Sequence, residues 1–173
     1  PTTFLFSTAN AEAGSTSGVE LEMHWQPVEP LSLGASLGLL DTEIDRFSAR
    51  PELEGRELAH APRYTFALNG TWQFAAGWFI RADYTGKDGY AIDYCQAEDC
   101  NDPTTSAYQL LDLRAGRAWG AWSVEAWCRN VLDEEYAVRG FYFGNEPPDF
   151  VPTAYTQLGD PRHAGVTLRY RFP

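Results

Sequence analysis

The sequence lacks a long hydrophobic run. No apolar stretch in its 173 residues approaches the roughly 18 residues that a membrane-spanning helix requires. This excludes a helical membrane protein and leaves open a protein that crosses a bilayer with strands. Basic residues are also scarce, with 13 Lys and Arg against 24 Asp and Glu, which gives a formal charge of −11. A chain of that charge is a poor partner for nucleic acid.

Cysteine and histidine are few, with three residues of each kind. Cys95 and Cys100 flank a short polar stretch, and we expect a local disulfide that closes this loop. A metal site would need more Cys or His nearby, so no metal is expected. Cys128 falls inside an alternating stretch and is interpreted as a small hydrophobic residue.

Catalytic patterns are also missing. His24, His60 and His163 lie on different predicted elements, and no serine sits in a nucleophile setting beside them. We therefore expect neither an enzyme nor a bound cofactor.

Aromatic residues are abundant. Six Trp, nine Tyr and ten Phe make up 14 % of the chain, yet the mean hydropathy is only −0.37. Outer-membrane barrels combine both traits, because half of each strand faces water while aromatic girdles mark both membrane interfaces. A soluble sandwich with one apolar sheet face is the alternative.

The last ten residues, 163–172, alternate between apolar and polar side chains. Leu168, Tyr170 and Phe172 close the apolar parity, and two arginines lie on the other. A period of two over this length predicts a strand with one apolar and one polar face.

Similar alternation recurs along the chain and predicts about eight strands. Their approximate ranges are 3–10, 19–26, 31–39, 64–74, 78–94, 108–117, 122–136 and 160–172. Small residues on the polar parity of 32–38 suit a lumen that admits other material.

The predicted connections are sorted by length. Short links at 27–30, 75–77 and 118–121 take turns with long links at 41–62, 95–106 and 140–159, and the link at 11–17 belongs by order to the long set. A sandwich has no reason to sort its loops in this way, whereas an outer-membrane barrel has short turns on one side and long loops on the other. The pattern predicts an all-β chain that forms a transmembrane antiparallel up-and-down β-barrel.

Four motifs in order resemble TonB-dependent outer-membrane receptors. They are Gly18-Val-Glu-Leu-Glu, Gly55-Arg-Glu-Leu-Ala-His-Ala-Pro-Arg63, Arg129-Asn-Val-Leu-Asp-Glu-Glu-Tyr136 and the closing Gly159-Asp-Pro-Arg-His-Ala-Gly-Val-Thr-Leu-Arg-Tyr-Arg-Phe172. Pro173 after Phe172 departs from the terminal aromatic residue that is usual in the family.

The resemblance implies a 22-stranded barrel in the bacterial outer membrane, of which residues 1–173 would be one C-terminal segment, about the last third. It also implies energy-coupled uptake of a scarce nutrient, most often a ferric siderophore. The implied partners are outer-membrane lipid, a plug domain inside the barrel and the TonB complex. Neither the plug nor the TonB-binding segment is recognisable in this chain.

The same motifs have direct physical readings. Asn130 and Asp133 are side chains that satisfy free backbone groups where a strand ends, and Arg162 is expected to bind a neighbouring carboxylate at the rim. On the polar parity, we expect Arg81, Arg129, Arg169 and Arg171 to pair with Asp83, Glu125 and nearby acids of the wall. Their alternative role is to face carboxylates of the plug or an anionic ligand.

Ligand contacts are expected from aromatic residues in the long loops. The candidates are Tyr90, Tyr94, Phe141, Tyr142, Phe143 and Asn145. Their alternative role is the outer aromatic girdle.

A free-standing eight-stranded barrel acting as an anchor or adhesin is the second functional hypothesis. Small residues at 32–38 argue against it, because they would leave so narrow a barrel underfilled.

Overall fold

The computed structural model describes residues 9–74, 77–94 and 103–172. This part of the chain forms nine β-strands and one 3₁₀ turn at Pro51–Leu53. The strands are β1 (Ala13–Val28), β2 (Leu31–Arg46), β3 (Tyr64–Phe74), β4 (Trp78–Lys87), β5 (Tyr108–Trp119), β6 (Trp122–Arg129), β7 (Ala137–Phe143), β8 (Thr153–Leu158) and β9 (His163–Tyr170). Within these residues no helix has the length and apolar character needed to cross a membrane.

Seven strands form one antiparallel sheet in the order β1-β2-β3-β4-β5-β6-β9. Each strand pairs with the next along the chain, except that β7 and β8 form a separate hairpin between β6 and β9. The sheet is open in the described residues, because β1 pairs only with β2 and β9 pairs only with β6.

The register places residues of one parity on one apolar face. A single row across the strands contains Met23, Ala35, Leu68, Tyr84 and Leu111. Leu68 is 48 % exposed and Val166 on β9 is 72 % exposed, so no part of the described chain covers this face. A contiguous apolar surface of this size requires an apolar environment.

The opposite face carries the polar parity. Ser32, Gly34, Ser36 and Gly38 of β2 lie on it, in register with Thr71, Asn69, Ala67 and Thr65 of β3. The alternation that predicted two distinct faces is therefore confirmed on the strands of the sheet.

Connections of unequal length lie at opposite ends of the sheet. At one end, β1 joins β2 through Glu29 and Pro30, and β5 joins β6 through Gly120 and Ala121. Gly120 has φ +54, which is a backbone conformation that glycine adopts without strain. The connections 47–63, 88–107 and 130–162 lie at the other end, hereafter the loop end.

Three predicted boundaries were wrong at the loop end. β1 already begins at Ala13, β2 continues to Arg46, and β4 ends at Lys87 instead of running towards Tyr94. β2 extends because Thr42 and Ile44, on the parity opposite to the apolar residues of 31–39, are buried beneath the following connection. β4 stops where its partner β3 begins, since Lys87 pairs with Thr65 and no further partner residue follows in register.

The predicted long loop at 140–159 instead contains most of the β7–β8 hairpin. These two strands, and the other seven without the predicted strand at 3–10, give the nine strands of the described residues. β6 ends at Arg129, whereas the prediction extended it past Tyr136. Residues 3–8 of the predicted first strand lie outside the described residues, and Ala9 and Asn10 are not in a strand.

Candidate functional site at the loop end of the sheet

The connections at the loop end pack into a small core. Ile44, Leu53, Tyr90 and Ile92 are buried there, with exposed fractions between 1 % and 7 %. The hydroxyl of Thr42 accepts a hydrogen bond from the Leu58 N–H at 3.0 Å, which ties the β2–β3 connection to the end of β2. Burial and hydrogen bonding thus fix these connections to the end of the sheet.

Tyr90 and Tyr94 lie within this packed region. The Tyr90 hydroxyl donates to the Val138 carbonyl at 3.1 Å, and the Lys87 ammonium lies 4.4 Å from the centre of the Tyr90 ring. The Tyr94 hydroxyl accepts from the Ala59 N–H at 2.6 Å and donates to the Glu57 carbonyl at 2.8 Å. Both tyrosines therefore join neighbouring connections, and their contact with a ligand stays a prediction.

The β7–β8 hairpin presents an aromatic face formed by Phe141, Phe143 and Tyr155. The ring centres of Phe141 and Phe143 are 5.2 Å apart, and that of Tyr155 lies 5.6 Å from each. Phe141 and Phe143 remain 43 % and 46 % exposed. Because no described residue covers these rings, they are available to a planar or aromatic partner.

The rest of the hairpin orients this aromatic face. Tyr142 lies on the opposite side of β7 and is half-buried, while Asn145 is exposed in the connection that follows. Gly140 packs so closely against Ile92 that a side chain there would collide with it.

Tyr155 is the aromatic residue of this face that the sequence reasoning missed. Its hydroxyl donates to Glu146 Oε1 at 3.3 Å. Partial desolvation, with the neighbouring Glu146 carboxylate, raises the pKa of Tyr155. The prolines at 147, 148 and 152 precede Tyr155 and hid its strand in the sequence.

Asn130 organises the junction between the sheet and the hairpin. It is 3 % exposed and has φ +48. Its side-chain amide donates to the carbonyls of Glu134 at 2.8 Å and Asp160 at 3.2 Å, and its Oδ1 accepts from the Glu134 N–H at 2.9 Å. Its own N–H donates to Asp112 Oδ1 at 2.9 Å. These bonds join the two segments that flank the hairpin, and we call this group the rim network.

An ion pair completes the rim network. Arg162 Nη2 lies 3.1 Å from Asp133 Oδ2, which confirms the expectation that Arg162 binds a carboxylate at the rim. Tyr136 covers Gly159 so closely that a Cβ there would collide with its ring, and burial raises the pKa of Tyr136. The backbone-satisfying roles predicted for Asn130 and Asp133 are confirmed as well, since Asp133 Oδ1 accepts from the Arg162 N–H at 3.4 Å.

Charges on the polar face are only partly paired. The Arg81 Nε donates to both carboxylate oxygens of Asp83 at 2.9 and 3.0 Å, and Arg114 lies 3.7 Å from Asp83. The pairing expected for Arg81 is confirmed. Arg129 instead lies over the Trp127 ring at 5.5 Å.

Pairing with acids of the barrel wall was a wrong expectation for Arg129, Arg169 and Arg171. Within the described ranges none of the three has a carboxylate within 4 Å. A period of two predicts the face of the sheet on which a residue lies. It does not predict the distance to a side chain on the neighbouring strand.

The structure places only some of the predicted cysteine and closing-strand residues. Cys95 and Cys100 lie outside the described residues, and Cys128 is a free thiol on the apolar face. Leu168 and Tyr170 lie on that face too, and the Tyr170 ring is 4.7 Å from Trp122 and 4.9 Å from Phe172. In the part of the chain that the structure describes, no group of three Cys, His, Asp or Glu could hold a metal ion.

An apolar outer face, a polar inner face and loops sorted by length define the sheet of an outer-membrane β-barrel. Residues 1–131 match the family model for the TonB-dependent-receptor-like β-barrel, and the chain belongs to that family. Members of this family are transporters of the bacterial outer membrane and not enzymes.

Solved structures with the same fold include receptors for ferric chelates and siderophores. The chain is similar to the ferric yersiniabactin uptake receptor FyuA from Yersinia pestis, with a TM-score of 0.73 and 21 % identity over 92 % of this chain and 24 % of that one. It is also similar to the siderophore receptor PiuA from Acinetobacter baumannii, with a TM-score of 0.72 and 16 % identity over 90 % of this chain and 21 % of that one. It is similar as well to the ferric-catecholate import receptor Fiu from E. coli K12, with a TM-score of 0.72 and 14 % identity over 92 % of this chain and 21 % of that one. The chain thus spans about a quarter of the length of these receptors.

Proposed function

We propose that this chain forms part of the barrel wall of an outer-membrane receptor that takes up a ferric siderophore. Family membership carries the proposal, and the receptors with the same fold support the ligand class, since each is described as a siderophore or ferric-chelate receptor. The remaining barrel strands, the plug and the TonB-binding segment would come from other parts of the receptor.

The dimensions of the apolar face support a position in the membrane. From Tyr64 to Trp72 the apolar parity of β3 spans eight residue steps, about 27 Å along the strand. At the tilt of about 40° common in such barrels, this corresponds to roughly 21 Å of height, close to the ~25 Å apolar band of outer-membrane proteins. The apolar face would then contact lipid, the polar face the lumen, and the loop end the cell exterior.

Ligand capture is proposed for the loop end. Among the six predicted contact residues, Phe141 and Phe143 have the most exposed rings, and they form one face with Tyr155. Tyr142 and Asn145 flank that face, whereas Tyr90 and Tyr94 would act at the boundary between the loops and the lumen. Aromatic faces suit the planar, aromatic or chelate-ring surfaces of an iron complex.

Uptake of radiolabelled iron tests the proposal. A strain lacking the intact receptor should lose growth and ⁵⁵Fe uptake on one ferric siderophore from a panel of hydroxamate, catecholate and mixed chelates. Unchanged uptake of every chelate in that strain would contradict the proposed function.

Variants of the hairpin test the proposed site. Phe141→Ser combined with Phe143→Ser should weaken binding about tenfold, as loss of aromatic anchors does at interfaces. Gln157→Ala is the matched control, because Gln157 is exposed on the same hairpin and points to the same side. Equal affinity of the double variant and the control would remove the aromatic face from the ligand site while leaving the receptor assignment in place.

A further inference from the structure

Arg139 is a cation on the exposed side of the β7–β8 hairpin. The register pairs it with Gln157, and it lies on the side of β7 that also carries Phe141. Arg139 is exposed, and in the described part of the chain its guanidinium makes no ion pair, hydrogen bond or ring contact. A ligand can therefore approach this guanidinium without displacing a described carboxylate.

The other side of the hairpin is packed against the loop core, and this fixes the direction in which Arg139 points. Gly140 is buried, and a Cβ built there would collide with Ile92. The Val138 carbonyl accepts the hydrogen bond from Tyr90 described above. Because successive residues of a strand point to opposite sides, Arg139 projects away from this core, as the exposed rings of β7 do.

Arg139 and the three rings form one continuous surface. Phe141 lies directly opposite Tyr155, and Phe143 follows two residues later on the same side of β7. Residues two apart on a strand are separated by about 7 Å, and diagonal cross-strand neighbours lie within reach of long side chains. One ligand can therefore contact the guanidinium and the rings together. We call Arg139, Phe141, Phe143 and Tyr155 the hairpin site.

The two ends of the hairpin site carry opposite charges. At one end, the Glu146 carboxylate accepts the hydrogen bond of the Tyr155 hydroxyl at 3.3 Å. Arg139 lies at the other end, about 13 Å along β7 from Phe143. It is the only basic residue in 137–158, within a chain of formal charge −11. An anion beside the rings is therefore attracted at the Arg139 end and repelled at the Glu146 end.

We propose that the hairpin site binds a ferric chelate with anionic aryl groups, and that Arg139 selects for the charge of this ligand. The three rings pack against the aryl groups, and the guanidinium binds the negatively charged oxygens at their edge. A ferric tris-catecholate has this chemistry: its iron-binding oxygens lie on aryl rings, and each catecholate supplies two negative charges, so the complex stays anionic. A ferric tris-hydroxamate is neutral, because each hydroxamate supplies one. The inference rests on the proposed function.

Binding of these two chelates to the intact receptor in detergent tests the selection. Quenching of tryptophan fluorescence should show tighter binding of the tris-catecholate than of a tris-hydroxamate of similar size. Arg139→Gln should weaken tris-catecholate binding about three- to tenfold, between the effect of an exposed ion pair and that of a hydrogen bond to a charged group. Its affinity for the tris-hydroxamate should be unchanged. Arg139→Lys should retain most of the affinity, since lysine keeps the charge.

Arg46→Gln is the matched control. Arg46 is also an exposed arginine at the loop end, on β2, which is not adjacent in the sheet to either strand that flanks the hairpin. The same change of charge there should leave both affinities unchanged. Equal weakening in the two variants would overturn the role of Arg139, as would unchanged tris-catecholate binding in Arg139→Gln. Equal loss of both chelates in Arg139→Gln, or tighter binding of the tris-hydroxamate by the wild type, would overturn selection by charge.

Salt and uptake separate the failure of this inference from that of the proposed function. The difference between wild type and Arg139→Gln should shrink in 1 M salt, because exposed charges are screened, and a difference that persists would contradict the electrostatic role. A receptor that takes up a ferric chelate without any dependence on Arg139 would contradict only the selection by charge. A receptor that takes up no chelate of the panel would contradict the proposed function itself.

Discussion

The two faces of the sheet are held in place by different kinds of interaction. On the apolar face, side chains such as Leu37, Leu68 and Val166 all require an apolar environment but no specific partner. On the polar face and at the rim, Asp83 and Asn130 each form hydrogen bonds with particular residues. The apolar face should therefore be sensitive to polarity and tolerant of shape, and the polar side should be sensitive to the identity of single residues.

A charge placed at mid-depth gives the largest expected effect. Ala35 and Ser36 are consecutive on β2 and lie on opposite faces at the same level. Ala35→Arg should cost about 2–4 kcal/mol on a lipid-facing surface and lower the amount of folded receptor in the outer membrane. Ser36→Arg, opposite Glu22, should be recovered at near wild-type levels. Equal loss in both variants, scored by heat-modifiable migration, would contradict the assignment of faces.

Loss of the Asn130 amide should be the next largest effect. Asn130→Ala removes a side chain that is 3 % exposed and leaves the Glu134 N–H and carbonyl without their partner, which costs on the order of 2 kcal/mol. Glu134→Ala is the control, because only the backbone of Glu134 takes part in these bonds. Guanidinium unfolding in lipid vesicles should show a lower midpoint for Asn130→Ala alone, and a shared shift would contradict the role of the rim network.

Removing the carboxylate of Asp83 should have a smaller effect. Asp83→Asn weakens contacts to Arg81 and Arg114, whose side chains are 38 % and 41 % exposed, so about 1 kcal/mol is expected. Glu125→Gln on the same face should be close to neutral, since Glu125 makes no ion pair with the described part of the chain. A larger loss for Glu125→Gln in the same unfolding assay would show that the polar face is not organised around Asp83.

The exposed ion pair at the rim should matter least. Arg162 and Asp133 are 52 % and 53 % exposed, and pairs of this kind contribute about 0.2–1 kcal/mol. Arg162→Gln should shift the unfolding midpoint slightly, and the difference from wild type should shrink in 1 M salt because exposed charges are screened. A shift that persists in high salt would indicate that the packing of Arg162 matters more than its charge.

The faces could be predicted from sequence because alternation depends only on parity. Every residue from Leu31 to Leu39 fell on its predicted face. The register that brings Arg81 and Asp83 beside Arg114 depends on how far neighbouring strands are offset, and parity carries no information on that offset. The sequence therefore predicted an amphipathic sheet and only part of its charge pairing.

The hairpin shows why the loop end was harder to predict. Pro147, Pro148 and Pro152 interrupt its connection, and Phe141, Tyr142 and Phe143 form a continuous aromatic run that hides a period of two. The extension of β2 did carry a signal, since Thr42 and Ile44 alternate with three acidic residues. The acidic residues at 41, 43 and 45 made this segment resemble a loop. It is a strand in the structure, where Thr42 and Ile44 on the opposite side are buried.

Spin-label accessibility tests directly whether the two faces of the sheet contact lipid and lumen. Ala67 and Leu68 are consecutive on β3, and their partners place them on the polar and the apolar face. In a background with Cys95, Cys100 and Cys128 replaced by Ala, nitroxide labels at Ala67→Cys and Leu68→Cys of the receptor in vesicles should differ sharply in collision with dissolved oxygen. We expect high oxygen accessibility at position 68 and low accessibility at position 67, and equal values at the two positions would contradict the assignment of the faces.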